Sequence, residues 1–201
     1  MIRVLLADDQ ALVRGAMAAL LRLEEDLEVV AEVGSGAEVL TAVEREAVDV
    51  CLLDIEMPGG DGITTAAELA AAHPDVRSLI VTTFGRPGYV RRALEAGAAG
   101  FIVKDTPAPE LAQAIRAVHA GERVIDSTLA AASLAEGSNP LSEREQDVLR
   151  AALSGGSVSA IAAALHLSSG TVRNYLSAAI AKTGAVNRQQ AARTAELRGW
   201  I

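Results

Sequence analysis

The chain has 201 residues, half of them apolar, and a formal net charge of −8. That length holds one large or two small domains with a sizeable core, and no apolar run approaches the roughly eighteen residues needed to cross a bilayer. The lone Cys51 excludes an intrachain disulfide and lies in an apolar run, where a buried thiol is expected.

In chain order, the amino-terminal apolar run Ile2-Arg3-Val4-Leu5-Leu6-Ala7 is interrupted by Arg3 and stopped by Asp8. It reads as a strand and not as a signal peptide, so a cytoplasmic protein is expected. Strands are predicted near 2–7, 28–33, 48–53, 78–82 and 100–103. Helical patterns alternate with them near 10–23, 36–46, 61–72, 87–96 and 107–119. Gly97 and Gly121 stand where helices should stop, and Pro107 where one should start. Strict βα alternation predicts a parallel sheet covered on both faces, an α/β domain of the flavodoxin-like, doubly wound (βα)5 type over residues 1–120.

Residues 121–139 are small, polar and weakly periodic, with Gly137-Ser138-Asn139-Pro140 as the sharpest breaker. They are expected to be a linker with a short helix over 128–134. Residues 140–201 then read as all-α, with helices at 143–153, 158–165, 169–182 and 188–198. The charge divides with the chain: residues 1–137 carry net −11 and residues 138–201 net +3. An acidic module joined to a basic one is thereby predicted, and the second suits a polyanion.

The predicted strands end on polar groups. Asp8 and Asp9 follow the first, Asp54 the third, Thr82 ends the fourth, and Lys104 follows the fifth. Parallel strands bring these groups to one rim, where open α/β sheets carry their chemistry. Asp9 and Asp54 can ligate Mg2+ directly, Asp8 through water, and the backbone carbonyl of Glu56 can complete the share. The cation relieves the repulsion among the acids and offsets charge on an incoming phosphoryl group. Lys104 offers a point charge to its oxygens and Thr82 a hydroxyl donor. The expected product is an aspartyl phosphate on Asp54. Asp61, Asp49 and Asp105 lack this convergence and are expected to be caps or solvated surface.

Asp8-Asp9, Asp54 with Met57-Pro58 and Asp61-Gly62, Thr82, and Ala96-Gly97-Ala98-Ala99-Gly100-Phe101 through Lys104 resemble the receiver domain of two-component response regulators. The resemblance implies a sensor histidine kinase as phosphoryl donor and a switch formed by Thr82 and an inward-turning Phe101. The loop Phe84-Gly85-Arg86-Pro87-Gly88-Tyr89 is expected to move with that switch.

In the second part, Leu141-Ser142-Glu143-Arg144-Glu145, Gly170-Thr171-Val172-Arg173-Asn174-Tyr175 and Asn187-Arg188 resemble the LuxR-type helix-turn-helix. The whole chain thus resembles the NarL/FixJ family, and in part a branch that controls membrane-lipid genes. On the helix from Ser169, Val172, Leu176, Ala179 and Ile180 form an apolar stripe. The opposite face presents Arg173, Asn174, Ser177, Ala181 and Lys182, slim enough for a major groove. Thr171, Arg173, Asn174, Ser177 and Lys182 are the expected DNA contacts. The chain has Ser159-Ala160 and Tyr175 and Ser177 where the family often carries further charge. Fewer phosphate contacts imply weak monomer binding and reliance on a homodimer over two half-sites.

The expectation is a phosphorylation-switched transcription factor, not an enzyme beyond its own phosphotransfer and dephosphorylation, with promoter DNA and RNA polymerase as partners and no membrane insertion. Two alternatives stay open. A phosphorylation-independent DNA-binding dimer would be expected to lack an acid or the lysine. A metal-dependent phosphohydrolase would favour a first-strand nucleophile with an acid two residues on, whereas Asp8 and Asp9 are adjacent.

Overall fold

In the computed structural model, all residues are described except Gly59, Phe84, Arg86, 127–128 and 132–138, together with the side chain of Pro87. The chain divides into two compact units, the first comprising Met1–Gly85 with Val90–Ala131, the second chiefly Ala132–Ile201.

In chain order, residues 1–125 form β1 (Ile2–Ala7), α1 (Ala11–Leu21), β2 (Leu27–Val33), α2 (Gly36–Arg45), β3 (Val50–Leu53), α3 (Gly62–Ala72), β4 (Arg77–Thr82), α4 (Pro87–Glu95), β5 (Gly100–Val103), α5 (Ala108–His119) and β6 (Val124–Ile125). All strands pair in parallel, in the order β2-β1-β3-β4-β5-β6. Parallel pairing needs long crossovers, which the helices supply. The alternation read from the sequence is therefore the observed architecture.

One difference lies at the edge. Val124–Ile125 falls in the stretch expected to be linker, yet it pairs Gly100↔Val124 and Phe101↔Ile125 as a sixth strand. Two residues between Arg123 and Asp126 are too short for a periodic signal. The backbone groups of β5 supply the partner that makes them a strand. The short helix expected over 128–134 and the loop 84–89 fall partly on residues outside those described.

The sheet is buried on both faces. Val4, Leu6, Leu52, Leu79 and Val81 pack with Ala18 and Leu21 of α1 and with Leu111, Ile115 and Val118 of α5. The pleat sends Leu5, Leu53, Ile80 and Phe101 to the other face, where all four are fully buried. Such strands read as continuous apolar runs, which made them legible. Gly97 and Gly121 sit at φ +90° and +89°, a conformation that lets α4 and α5 stop there.

The second unit comprises α6 (Glu143–Leu153), α7 (Val158–Ala164), α8 (Ser169–Thr183) and α9 (Arg188–Leu197). Ser142, Ser157, Ser168 and Asn187 each accept a backbone N–H at the start of their helices. Those side chains satisfy donors that would otherwise lack partners. Leu141, Val148, Leu149, Ile161, Val172 and Trp200 are among the residues of its core. Gly184 ends α8 in the left-handed conformation at φ +67°. Among the described residues, no helix in either unit is long and apolar enough to cross a membrane.

Candidate functional site

The strand order reverses between β1 and β3, and chemistry in doubly wound sheets collects at that switch point. Ala7 pairs with Leu53, and the Asp54 N–H donates to the Ala7 carbonyl at 2.9 Å. This register sets the residues after β1 beside the residue after β3. Oxygens of Asp8, Asp9 and Asp54 all lie within 4.8 Å of one another. Asp8 and Asp54 are buried, while Asp9 is exposed.

Lys104 follows β5, and its N–H donates to the Thr82 carbonyl at 2.8 Å. Its ammonium donates to Asp54 Oδ2 at 2.9 Å. It also lies 2.8 Å from Asp8 Oδ2. That second approach is Coulombic and not directional, for Asp8 Oδ2 is buried without a hydrogen bond of good geometry. Asp8 Oδ1, by contrast, accepts the Gln10 N–H at 2.9 Å.

Burial pushes the Asp54 carboxyl above its usual range and Asp8 adds repulsion; the bond and charge of Lys104 oppose both without cancelling them. For Lys104, burial works against the charge, but the two carboxylates of Asp8 and Asp54 prevail and raise its pKa. One cation thus faces more anionic charge than it can compensate. Hard carboxylate oxygens, one with an uncommitted buried lone pair, are the donor set that Mg2+ takes, so these residues fit a divalent cation. Glu56 has an exposed side chain in the turn after Asp54. Thr82 closes β4 beside Val103 and is buried, and Phe101 is fully buried, in the inward position.

Three features of the rim were not anticipated. The Arg14 guanidinium on α1 donates to the Asp8 carbonyl and so ties that helix to the acid pair. Gly62 has no room for a side chain, since a Cβ there would lie 2.0 Å from the Asp54 carbonyl oxygen. The PGGDG spacing was the only signal for that close approach. Asp61 caps α3 through the Thr64 N–H at 2.6 Å, as expected for a cap, and also meets Arg92 of α4 at 3.3 Å. Asp49 binds Arg3, and Asp105 is exposed.

On α8 the expected stripe is the buried one: Val172, Leu176 and Ala179 are buried and Ile180 is partly so. Arg173, Asn174, Ser177, Ala181 and Lys182 are exposed, and Thr171 is half-buried beside the Ser168 cap. Lys182 differs from the others. Its ammonium donates to Glu145 Oε2 at 2.7 Å, tying α8 to α6. Glu145 is buried and also accepts the Ser142 N–H at 2.7 Å within a capping box. Its burial opposes ionisation, yet Lys182 and Ser142 outweigh that and hold the carboxyl below its usual range.

Comparison with known proteins agrees with this division. Residues 4–116 match the response regulator receiver domain, and residues 139–195 match the bacterial regulatory proteins of the luxR family. The chain is 44% identical to the transcriptional regulatory protein YvfU of Bacillus subtilis and 41% identical to DesR of the same organism, with 100% of each chain covered in both cases. The response regulator ChrA, from a heme-sensing two-component system, is 35% identical with a TM-score of 0.60, covering 100% of this chain and 98% of that one. The response regulator RcsB in complex with DNA shares the fold at 24% identity and a TM-score of 0.69, with 98% of each chain covered.

Proposed function

Because the chain belongs to the two-component response regulators that join a receiver to a LuxR-type DNA-binding domain, we infer that it is a transcription regulator switched by a phosphoryl group on Asp54. The observation that carries this reading is the gathering of Asp8, Asp9 and Asp54 within 4.8 Å, with Lys104 bonded to Asp54.

Asp54 is the acceptor. Its carboxylate attacks phosphorus on the donor, a sensor histidine kinase, whose leaving nitrogen keeps the electron pair of the broken bond. Lys104 and Thr82 then bind the phosphoryl oxygens. Asp9 and Asp54, with Asp8 through water and the Glu56 carbonyl, would hold Mg2+, which when bound neutralises charge on the phosphoryl group. Phosphorylation adds roughly −1.5 to −2 charges and strong acceptor oxygens. Thr82 is drawn towards these, Phe101 keeps its inward packing, and the surface over α4 and β5 is biased towards a homodimer.

The dimer sets two copies of α8 into successive major grooves of promoter DNA, about 34 Å apart. Arg173 suits guanine and Asn174 adenine, with Thr171 and Ser177 beside them. The receiver expected over 1–120 is extended by β6 at Val124–Ile125, the linker is taken as the rest of the stretch up to 139, and the DNA-binding domain as 140–201, in a cytoplasmic protein. The complete acid site favours this over a constitutive dimer.

Asp54→Asn is the direct test. Incubated with labelled acetyl phosphate and Mg2+, the wild-type chain should take up acid-stable, base-labile label and the variant none. Undiminished labelling of the variant would remove Asp54 as acceptor.

A further inference from the structure

The basic domain has seven cationic side chains, and most of them are already engaged. Arg150 meets Asp147 at 3.1 Å and Arg144 meets the same carboxylate at 3.8 Å. Arg193 meets Glu196 at 3.2 Å, and Arg198 stacks 4.9 Å from the centre of the Trp200 ring. Lys182, which periodicity sets on the exposed face of α8, has its ammonium 2.7 Å from the buried Glu145 carboxylate. Moving it to a phosphate would strand an ionised, buried acid, which is strongly disfavoured. Among the described residues, only Arg173 and Arg188 of these seven have no ion pair, side-chain hydrogen bond or ring contact.

Arg188 is a conflict within its own helix. It is the first residue of α9, and no acid stands in that first turn. A cation there is repelled by the positive end of the helix dipole. Arg188 is partly buried yet has no ionic partner, and it follows the short turn after Thr183, at the carboxyl end of α8. Arg173 sits near the opposite end. Ten residues of helix between Arg173 and Thr183 span about 15 Å, against a major groove about 12 Å wide. Along the chain, the two unpaired cations thus flank the stretch of α8 that carries Asn174, Ser177 and Ala181.

We propose that Arg188 grips the DNA backbone at the carboxyl end of the recognition helix, and that Lys182 is an internal brace which positions that helix without touching DNA. The inference rests on the DNA-binding reading above and revises which residues carry it. Each phosphate that a substitution leaves without its cation reduces the slope of log K against log salt by about 0.9. In a dimer every substitution acts on two phosphates.

The test uses the full chain, phosphorylated with acetyl phosphate, and a duplex that the wild-type chain selects from a random pool. Binding is followed by anisotropy from 50 to 200 mM salt, on the order of the range where such slopes are measured. R188Q should flatten the slope by about 1.8 for a dimer, and R188K should retain the wild-type slope. K182Q should leave the slope unchanged while lowering the thermal midpoint followed by Trp200 fluorescence. A flattened slope in K182Q with an unaltered one in R188Q would overturn the assignment while leaving the DNA-binding reading intact. Failure of the wild-type chain to select any duplex would overturn both.

Discussion

The ammonium of Lys104 donates to Asp54 Oδ2 at 2.9 Å while standing 2.8 Å from Asp8 Oδ2, so one partly buried cation serves two buried acids. Lys104 comes from the end of β5, and the acids from β3 and β1. The site is therefore assembled by the register of the sheet and not by any local motif.

Removing that cation should expose the imbalance. Lys104→Met leaves the acids facing each other without a counter-charge, and breaking a buried pair in this way costs about 3–5 kcal/mol. Urea unfolding of the receiver should show a loss of that order in chelator. Millimolar Mg2+ should recover more stability in the variant than in the wild type, because the divalent ion replaces the missing screening. If Mg2+ stabilises neither protein, the acids do not bind it.

Asp54 itself should be a liability to the cation-free fold. Burial holds its carboxyl above the usual range, so the folded state binds the proton more tightly than the unfolded state. The associated stability is present below the unfolded value of about 4 and is lost as pH rises through the folded one. Asp54→Asn, neutral at every pH, should raise the thermal midpoint at pH 7 in chelator. Each kcal/mol of relief corresponds to roughly 2–8 °C. The advantage over wild type should shrink as the pH falls towards about 4. A variant less stable than wild type at pH 7 would contradict this account.

Much of the fold and site was legible because buried parallel strands give unbroken apolar runs, and their polar terminators mark the rim. The gathering of Asp8, Asp9, Asp54 and Lys104 at one rim was legible in this way. What was hidden has a common cause. β6 is two residues long and exists only through its pairing with Gly100 and Phe101. The Arg14 bond to the Asp8 carbonyl uses a side chain whose helical position says nothing of its reach. Lys182 lies on the open face by periodicity, but its long stem reaches Glu145, 37 residues earlier. Helical phase predicts where a Cβ points and not where a flexible ammonium ends.

Gly62 offers a steric test of the phosphoryl site. A methyl group there would stand 2.0 Å from the Asp54 carbonyl oxygen, and the nearest obstacle is backbone, which cannot rotate away. Gly62→Ala should therefore shift the loop that carries Asp54, at a cost of about 3 kcal/mol. Labelling by acetyl phosphate should drop at least tenfold in protein shown by circular dichroism to remain folded, a barrier increase of about 1.4 kcal/mol. Gly60→Ala, where a Cβ meets nothing within 4 Å, is the control for space alone; its φ of +142° makes it a control that carries some strain of its own.

The brace between α6 and α8 predicts an asymmetry between its two ends. Glu145 is buried and accepts from both Lys182 and the Ser142 N–H, whereas the Lys182 side chain keeps 40% of its exposure. Deleting the lysine leaves a buried carboxylate with one partner fewer. Replacing the acid by glutamine lets the ammonium turn into water and preserves the capping box, in which glutamine serves as well as glutamate. Lys182→Ala should thus destabilise the DNA-binding domain by about 1–3 kcal/mol, and Glu145→Gln by less. The pH dependence follows from the lowered carboxyl of Glu145. Its stabilisation is present above the unfolded carboxylate value and is lost as pH falls through the folded one. In wild type the midpoint reported by the sole tryptophan, Trp200, should therefore fall in acid, and Glu145→Gln should flatten that decline. If the glutamine variant proves the more damaging of the two, or keeps the full acid dependence, the pair is not what joins the recognition helix to its scaffold.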